Sequence, residues 1–315
     1  DIENFVSARA DTVYRLASLS KTITAVVVLQ LAERGRLDLD SPARRHCPAF
    51  PEKRWPVTPR QLLGHQGGIR HYRDGERPMT RRFGSTEEAL DLFKDDPLEF
   101  EPDTGILYST YGYTLLGCVI EGAAGRPFAE VVREAVFLPA GMTRSQPDDV
   151  RPLIPNRARG YTRDGQGLLV NSDLADTSYK VPGGGLSGTA PDLARFGLAL
   201  VSGALLEPDS WAAMRTLQRP RGGQDRGHGL GLVLEEHDGT TEVWKRCWRS
   251  RRSSRIRRIG SIRRSKMRSS TLRWNTLPMA KCVSATSSAR KASSCLPAAF
   301  AVSGSDTRCK AENYA

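Results

Sequence analysis

The residues after Lys21 and Thr22, Ile23-Thr24-Ala25-Val26-Val27-Val28-Leu29-Gln30-Leu31-Ala32, are apolar almost all the way round a helical projection. A helix of that kind has no solvated face, so the chain must build a core around it. Gly35 follows as a stop, because glycine takes the left-handed conformation of a helix end without penalty. Ser18 stands where this helix begins, and Lys21 is three residues on, so both side chains project from one face. A serine hydroxyl is a poor nucleophile unless a base lies within hydrogen-bond reach. A lysine becomes that base when burial disfavours its ammonium form. The bland alternative has Ser18 capping the helix and Lys21 solvated in its first turn. An isolated Ser-x-x-Lys is too short to decide between them.

A chain of 315 residues buries a large core and has room for one large domain or two. No uninterrupted apolar run reaches the length of a membrane span, so a soluble protein is expected. The sequence opens at Asp1 without a methionine, a basic cluster or an apolar run, and no signal peptide is visible in it. A net charge of +12 would point to nucleic acid if it were spread along the chain. It is not. Residues 244–315 hold 18 Lys+Arg against 2 Asp+Glu, whereas residues 1–243 hold 29 against 33. Cys47 and Cys118 lie in the body, and Cys247, Cys282, Cys295 and Cys309 in the tail. None has metal-ligand spacing, and two distant body cysteines do not make a disulfide framework. No metal or cofactor is expected; compartment and oligomeric state stay open.

Along the body, Thr12-Val13-Tyr14-Arg15-Leu16 alternates like a strand leading into the Ser18 helix. Thr58 to His65 reads as a short helix with a threonine cap and Pro59 at its first position. Ser85 to Lys94 reads as another, with Ser85 and Glu88 as a capping box. The apolar stretch after Tyr108-Ser109-Thr110 predicts a helix ending near Gly125, and Phe128 to Phe137 a further one. Strand-like pieces flank Asp164-Gly165 between Ala158 and Val170. Lys180 to Thr189 is a glycine-rich loop feeding a helix capped by Thr189, with Pro191 near its start. Gly229 to Glu235 and Thr240 to Val243 predict two strands joined at His237-Asp238-Gly239.

These pieces together resemble the serine β-lactamase / penicillin-binding-protein-like hydrolases, of the class C type. Ser18-Leu19-Ser20-Lys21 matches the family's first motif, and Tyr108-Ser109-Thr110 stands where the family has Tyr-x-Asn. Thr58 to Ile69 is similar to its loop of the form T-x-R-x-L-L-x-H-x-S-G, and Gly183 to Leu193 to its G-G-x-x-S-T-x-x-D-L segment. Tyr-Ser-Thr in place of Tyr-x-Asn, with the Gly68 to Tyr72 run, looks most like the branch of mitochondrial β-lactamase-like serine peptidases and their bacterial relatives. The match runs in order from Asp1 to Val243. It implies an α/β (α+β) fold of the β-lactamase/transpeptidase type, an antiparallel sheet flanked by helices plus a helical lobe. It also implies an acyl-enzyme on Ser18, with Lys21 as base or as holder of the hydrogen-bond network and Tyr108 as proton shuttle; which of Lys and Tyr is the base is disputed among relatives. Thr110 keeps an oxygen but lacks the amide fork of the family asparagine, so it is expected to bind substrate in an altered position. His65 is expected to staple a loop rather than to catalyse. The glycine run lacks the pattern of a nucleotide cradle. The substrate is an amide or ester: a peptide, a simple ester or a β-lactam. The alternative is a non-catalytic protein that binds peptide or peptidoglycan.

The family's third motif, Lys-Thr-Gly or His-x-Gly, lies on a strand whose backbone helps to form the oxyanion hole. His237-Asp238-Gly239 fits the letters but falls at the hairpin turn, one strand too early. The motif is due just after Val243, where Trp244-Lys245-Arg246-Cys247-Trp248-Arg249 stands instead. Residues 244–315 show no helical or strand period and read like a GC-rich gene translated out of frame. Tryptophan has the single codon TGG, so a one-base shift turns Trp244-Lys245 and Trp248-Arg249 into glycine, and the shifted register can spell Gly-Ser-Gly-Ala-Gly. Residues 1–243 are thus expected to be the hydrolase domain without its last strands and helix, a copy whose activity the loss of the third motif is expected to impair or abolish. The rival account is an arginine-rich extension that binds RNA or DNA, for which no fold motif or stacking platform is present; no nucleic-acid partner is expected. The nucleotide sequence across Val243 checks the frame: an open, glycine-rich shifted register is expected, and a register closed by stop codons refutes it.

Overall fold

A computed structural model describes residues 1–222, 227–237 and 240–243, all within one compact unit that spans Asp1–Arg252. The proposed frame change and the basic tail, 244–315, lie outside the described residues, as do Asp238 and Gly239 of the expected turn.

The chain enters through the short strand β1 (Tyr14–Arg15) and turns at once into α1 (Leu19–Glu33). Ile23 to Leu31 of α1 are buried without interruption, as an all-apolar helix requires. Thr58 caps α2 (Pro59–Leu63) by accepting from the Gln61 N–H, and the Gln61 side chain returns the bond to the Thr58 N–H. Ser85 caps α3 (Thr86–Leu90) by accepting from the Glu88 N–H. The Glu88 carboxylate binds the Gly84 N–H, one residue upstream of the expected capping-box partner. The second buried helix, α4 (Thr110–Ala124), ends at Gly125 in the left-handed conformation. The predicted helix from Phe128 is present as α5 (Phe128–Val132), which widens into a π-helical turn over Arg133–Phe137.

Strand β2 (Gln146–Pro147) and the hairpin β3 (Tyr161–Arg163) and β4 (Leu169–Asn171) follow. The segment expected to be a glycine-rich loop is instead ordered structure: a 3-10 turn at Ser178–Lys180, the short helix α6 (Val181–Gly184) and strand β5 (Leu186–Gly188). β5 is the centre of an antiparallel sheet in the order β1-β5-β2, with Arg15 and Gln146 both opposite Ser187. Thr189 caps α7 (Ala190–Val201), as its sequence indicates. The chain then forms α8 (Pro208–Met214), which sequence reading did not anticipate, and the hairpin β6 (Leu234–His237) and β7 (Thr240–Val243). β6 starts later than the expected Gly229. Gly231, at φ +78°, abuts Ala25 of α1 so closely that a Cβ there would lie 2.3 Å from the alanine methyl. That contact turns residues 229–232 away from a straight strand.

α1 and α4 lie against each other and against α6, and their side chains belong to one hydrophobic core. The architecture is mixed: helices packed about a short antiparallel sheet. Among the described residues no helix is long and apolar enough to cross a membrane.

The two body cysteines do not stay apart. Cys47 and Cys118 form a disulfide, with their Cα atoms 5.5 Å apart across 71 residues of sequence. Spacing alone hid the pairing because it depends on a tertiary contact. Gly122 of α4 has no side chain, so the His46 carbonyl lies against it at a point a Cβ would occupy. The 43–47 turn thereby reaches Cys118. Closing so long a loop is worth about 2–4 kcal/mol. Urea unfolding of the Cys47→Ala/Cys118→Ala chain is expected to lose stability of that order, and addition of reductant to the intact chain should have the same effect. An unchanged midpoint in both would contradict the bridge.

Candidate active site

The passage from β1 to α1 is abrupt. The Leu16 N–H donates to the Leu186 carbonyl of β5 at 2.8 Å, and three residues later the helix has begun. Ala17 absorbs the turn with φ +48°, a left-handed conformation unfavourable for a residue with a Cβ. Ser18 therefore projects from the sheet edge and is exposed. It makes no side-chain cap, which removes the capping account of this residue.

Lys21, one turn on, is buried with 4% of its surface accessible. Its Nζ lies 2.5 Å from the Gly183 carbonyl oxygen, 3.1 Å from Thr110 Oγ1 and 3.4 Å from Ser18 Oγ. The ring of Tyr108 stands 4.8 Å from the amine, and that of Tyr113 5.6 Å. Burial, assisted by the positive charge of Lys180, lowers the Lys21 pKa to about 7. Among the described residues no carboxylate contacts the amine. The solvated-lysine account thus fails as well.

The Tyr108 hydroxyl donates to Ser18 Oγ at 2.7 Å. Ser18, Lys21 and Tyr108, proposed from the sequence to act together, do converge on one oxygen. Thr110 is brought in too, but it is buried and its hydroxyl accepts from the Lys21 amine.

Two histidines hold the Tyr108 segment. The Leu107 N–H donates to the His65 carbonyl at 2.9 Å, and the Ser109 N–H to His65 Nδ1 at 3.2 Å, so the tyrosine is pinned on both flanks. The His65 ring lies 4.6 Å from that of Tyr108. Burial, with further contributions from His228, Lys21 and His71, holds His65 well below its ordinary pKa. It is a neutral staple, the role its sequence context indicated. His71 does the same one residue later, accepting from the Thr110 N–H at 3.2 Å, with its pKa lowered by burial to about 4. Sequence reasoning did not single it out, because its role needs only one ring nitrogen facing a helix N-terminus.

The glycine run serves the amine rather than a phosphate. A Cβ on Gly183 would lie 2.7 Å from Thr110 Cγ2 and 2.8 Å from the Thr110 carbonyl. Only a bare backbone lets the Gly183 carbonyl approach Lys21 beside Thr110. Among the described residues no group of acidic, histidine or cysteine side chains is placed to hold a metal ion.

Comparison with known proteins agrees with this geometry. The family model described as Beta-lactamase matches residues 1–259. The serine β-lactamase-like protein LACTB, mitochondrial, of Homo sapiens is 32% identical over 272 residues, covering 64% of this chain and 50% of the relative. The chain thus spans about half the length of that protein. Esterase EstB of Burkholderia gladioli is 31% identical over 261 residues, covering 71% of this chain and 66% of the esterase. Among solved structures, the penicillin-binding protein of Bacillus halodurans superposes with a TM-score of 0.66 at 28% identity, covering 76% of this chain and 74% of that one.

Gly183→Ala tests the packing around the amine. Forcing a methyl against the Thr110 backbone is expected to cost about 1–3 kcal/mol of stability in a denaturant titration. The same substitution should shift the Lys21 amine resonance as its carbonyl partner is displaced. A variant as stable as the parent would show that the contact is slack.

Proposed function

The chain belongs to the Beta-lactamase family, a family of serine hydrolases, and from that premise we propose that it cleaves an amide or ester through an acyl-enzyme on Ser18. The observation that carries this reading is the placing of one exposed hydroxyl between a buried amine of pKa about 7 and a phenol at 2.7 Å. A neutral amine has two N–H bonds and one lone pair. The Gly183 carbonyl and the Thr110 hydroxyl take the two N–H bonds, which leaves the lone pair for the Ser18 proton.

In the acylation step Ser18 Oγ gives its proton to Lys21 Nζ and forms a bond to the substrate carbonyl carbon. The bond to the leaving group breaks, and the departing nitrogen or oxygen takes a proton relayed from Lys21 by the Tyr108 hydroxyl. In deacylation water attacks the same carbon, the Ser18 ester bond breaks, and Ser18 Oγ recovers a proton over the same groups. The Ser18 N–H is the first oxyanion donor in this scheme. The family's second donor is due on the strand after Val243, where this sequence has Trp244-Lys245-Arg246 instead, so the scheme rests on the first donor. Thr110 acts in this reading through the amine it accepts from, and so tunes Lys21 as well as the substrate's position. The hydrolase unit is residues 1–243, and the basic residues 244–315 take no part. Whether the substrate is a peptide, a simple ester or a β-lactam is left to the assay; the name of EstB supports the ester, and that of the solved neighbour the penicillin-type amide.

A fluorophosphonate or fluorescent penicillin is expected to label the intact chain and not Ser18→Ala. Tyr108→Phe and Lys21→Met should each slow labelling by about 10²–10⁴-fold. The neutral form of Lys21 is the competent one, so the labelling rate should be full above about pH 7 and fall as pH drops through it. Retained peptide binding with no label would support the non-catalytic alternative; a rate that does not change across pH 7 would remove Lys21 as base.

A further inference from the structure

Beside the Ser18 site stands a second lysine that the scheme above does not use. Lys180 lies at the end of the 3-10 turn before α6, and its stem runs beside Gly184. The Cβ position of Gly184 is 3.8 Å from Lys180 Cδ on one side and 3.7 Å from the Ala17 carbonyl on the other. Ala17 is the residue before the nucleophile, so only a glycine separates the Lys180 stem from the backbone that presents Ser18.

The Lys180 amine is half-buried between two aromatic faces, 5.1 Å from the ring centre of Tyr179 and 5.7 Å from that of Tyr72. Among the described residues no carboxylate is hydrogen-bonded or ion-paired to it, nor to Arg77, whose charge acts on it from nearby. The acid that acts on it, Asp148, is already bound by Arg15 at 2.6 Å and by Arg157. Burial, reinforced by Arg77 and Arg15, lowers the Lys180 pKa to about 8, so it remains a cation at neutral pH. Half-burying a charge without a partner costs free energy that a bound anion would recover. The surroundings thus hold a surplus of positive charge next to a reactive serine.

The side on which it stands sets the part of the substrate it meets. Tyr108, the proton donor to the leaving group, reaches Ser18 from the α4 side. On the hydrolase reading the leaving group takes its proton from Tyr108, and the acyl portion is placed along Ala17 and Gly184, beside the Lys180 stem. We propose that Lys180, with Arg77 beside it, receives a carboxylate on the acyl portion of the substrate, making this a hydrolase for acyl groups that carry a second, free acid. The inference rests on the hydrolase reading above. It differs from that reading in naming the acyl side and the residue that recognises it.

The test uses the full chain and two chromogenic esters, mono-4-nitrophenyl adipate and its methyl ester, which differ only in a free carboxylate on the acyl side. At about pH 7.5, between the Lys21 pKa of about 7 and the Lys180 pKa of about 8, Lys21 is mostly neutral and Lys180 mostly charged. There kcat/KM for the free acid is expected to exceed that for the methyl ester by roughly tenfold or more, the worth of a charge-assisted hydrogen bond. Lys180→Met should bring the ratio to near one, and Lys180→Arg should keep most of it, which also guards against a folding defect. Taking a ratio cancels any effect of Lys180 on the Lys21 amine. Equal rates in the intact chain, or a preference that survives in Lys180→Met, would overturn the proposal. So would a preference for 3-acetoxybenzoate over its methyl ester with none on the acyl side, since that acid lies in the leaving group. If fluorophosphonate does not label Ser18, the hydrolase reading fails by itself. Calorimetric titration then decides the present proposal: monomethyl adipate should bind more tightly than dimethyl adipate in the parent and not in Lys180→Met, and no such difference refutes it.

Discussion

The structure depends on an amine held where an ammonium is disfavoured. Lys21 sits in the first turn of a helix that is otherwise apolar on every side, and the core that this helix demands is what removes water from the amine. Two acceptors, the Gly183 carbonyl and the Thr110 hydroxyl, give it a defined direction without adding negative charge. A carboxylate in either place would favour the ammonium. The choice of neutral acceptors is therefore part of the chemistry, and the nearby charge of Lys180 acts in the same sense.

Holding that arrangement takes three separate parts of the chain. α1 supplies the serine and the lysine, the segment entering α4 supplies Tyr108 and Thr110, and α6 supplies the Gly183 carbonyl. Each joint is made by a backbone contact that a larger or differently shaped residue would spoil. His65 and His71 accept from the successive main-chain N–H groups of Ser109 and Thr110, which sets the direction of Tyr108. Gly183 and Gly231 allow main chain to lie directly on α4 and α1. The buried network of Arg70 with Glu76 and Asp96 braces the loop that carries His71, and Ser109 Oγ donates to the Arg70 carbonyl. The trio of Ser18, Lys21 and Tyr108 is thus the visible end of a set of packing and hydrogen-bond constraints.

Where sequence reading and structure part, the cause is each time a long-range contact. The threonine caps at Thr58 and Thr189 were legible because each is made with a residue three positions away. The same local rule offers Ser18 as a cap as well, and there it fails, because its oxygen accepts from Tyr108, ninety positions distant, instead of binding its own helix. It misjudged Lys180 to Thr189 as loop, because glycines there serve close packing and leave room for α6 and β5. Cys47 and Cys118 were read as unpaired for the related reason that 71 residues separate them.

By itself the sequence determined that a wholly apolar helix would lie in a core, that Ser18 and Lys21 would share a face of its first turn, and that the positive charge would gather after Val243. Those are properties of composition and of a 3.6-residue period, and neither needs a partner to be known. Only the tertiary structure decided that the amine's pKa falls to about 7, that Tyr108 points at Ser18, that the Thr110 hydroxyl accepts from the lysine, and that Lys180 has no carboxylate partner among the described residues. A pKa, a hydrogen bond and a missing counter-ion are set by what surrounds a group, and what surrounds these groups comes from parts of the chain that meet only when it folds.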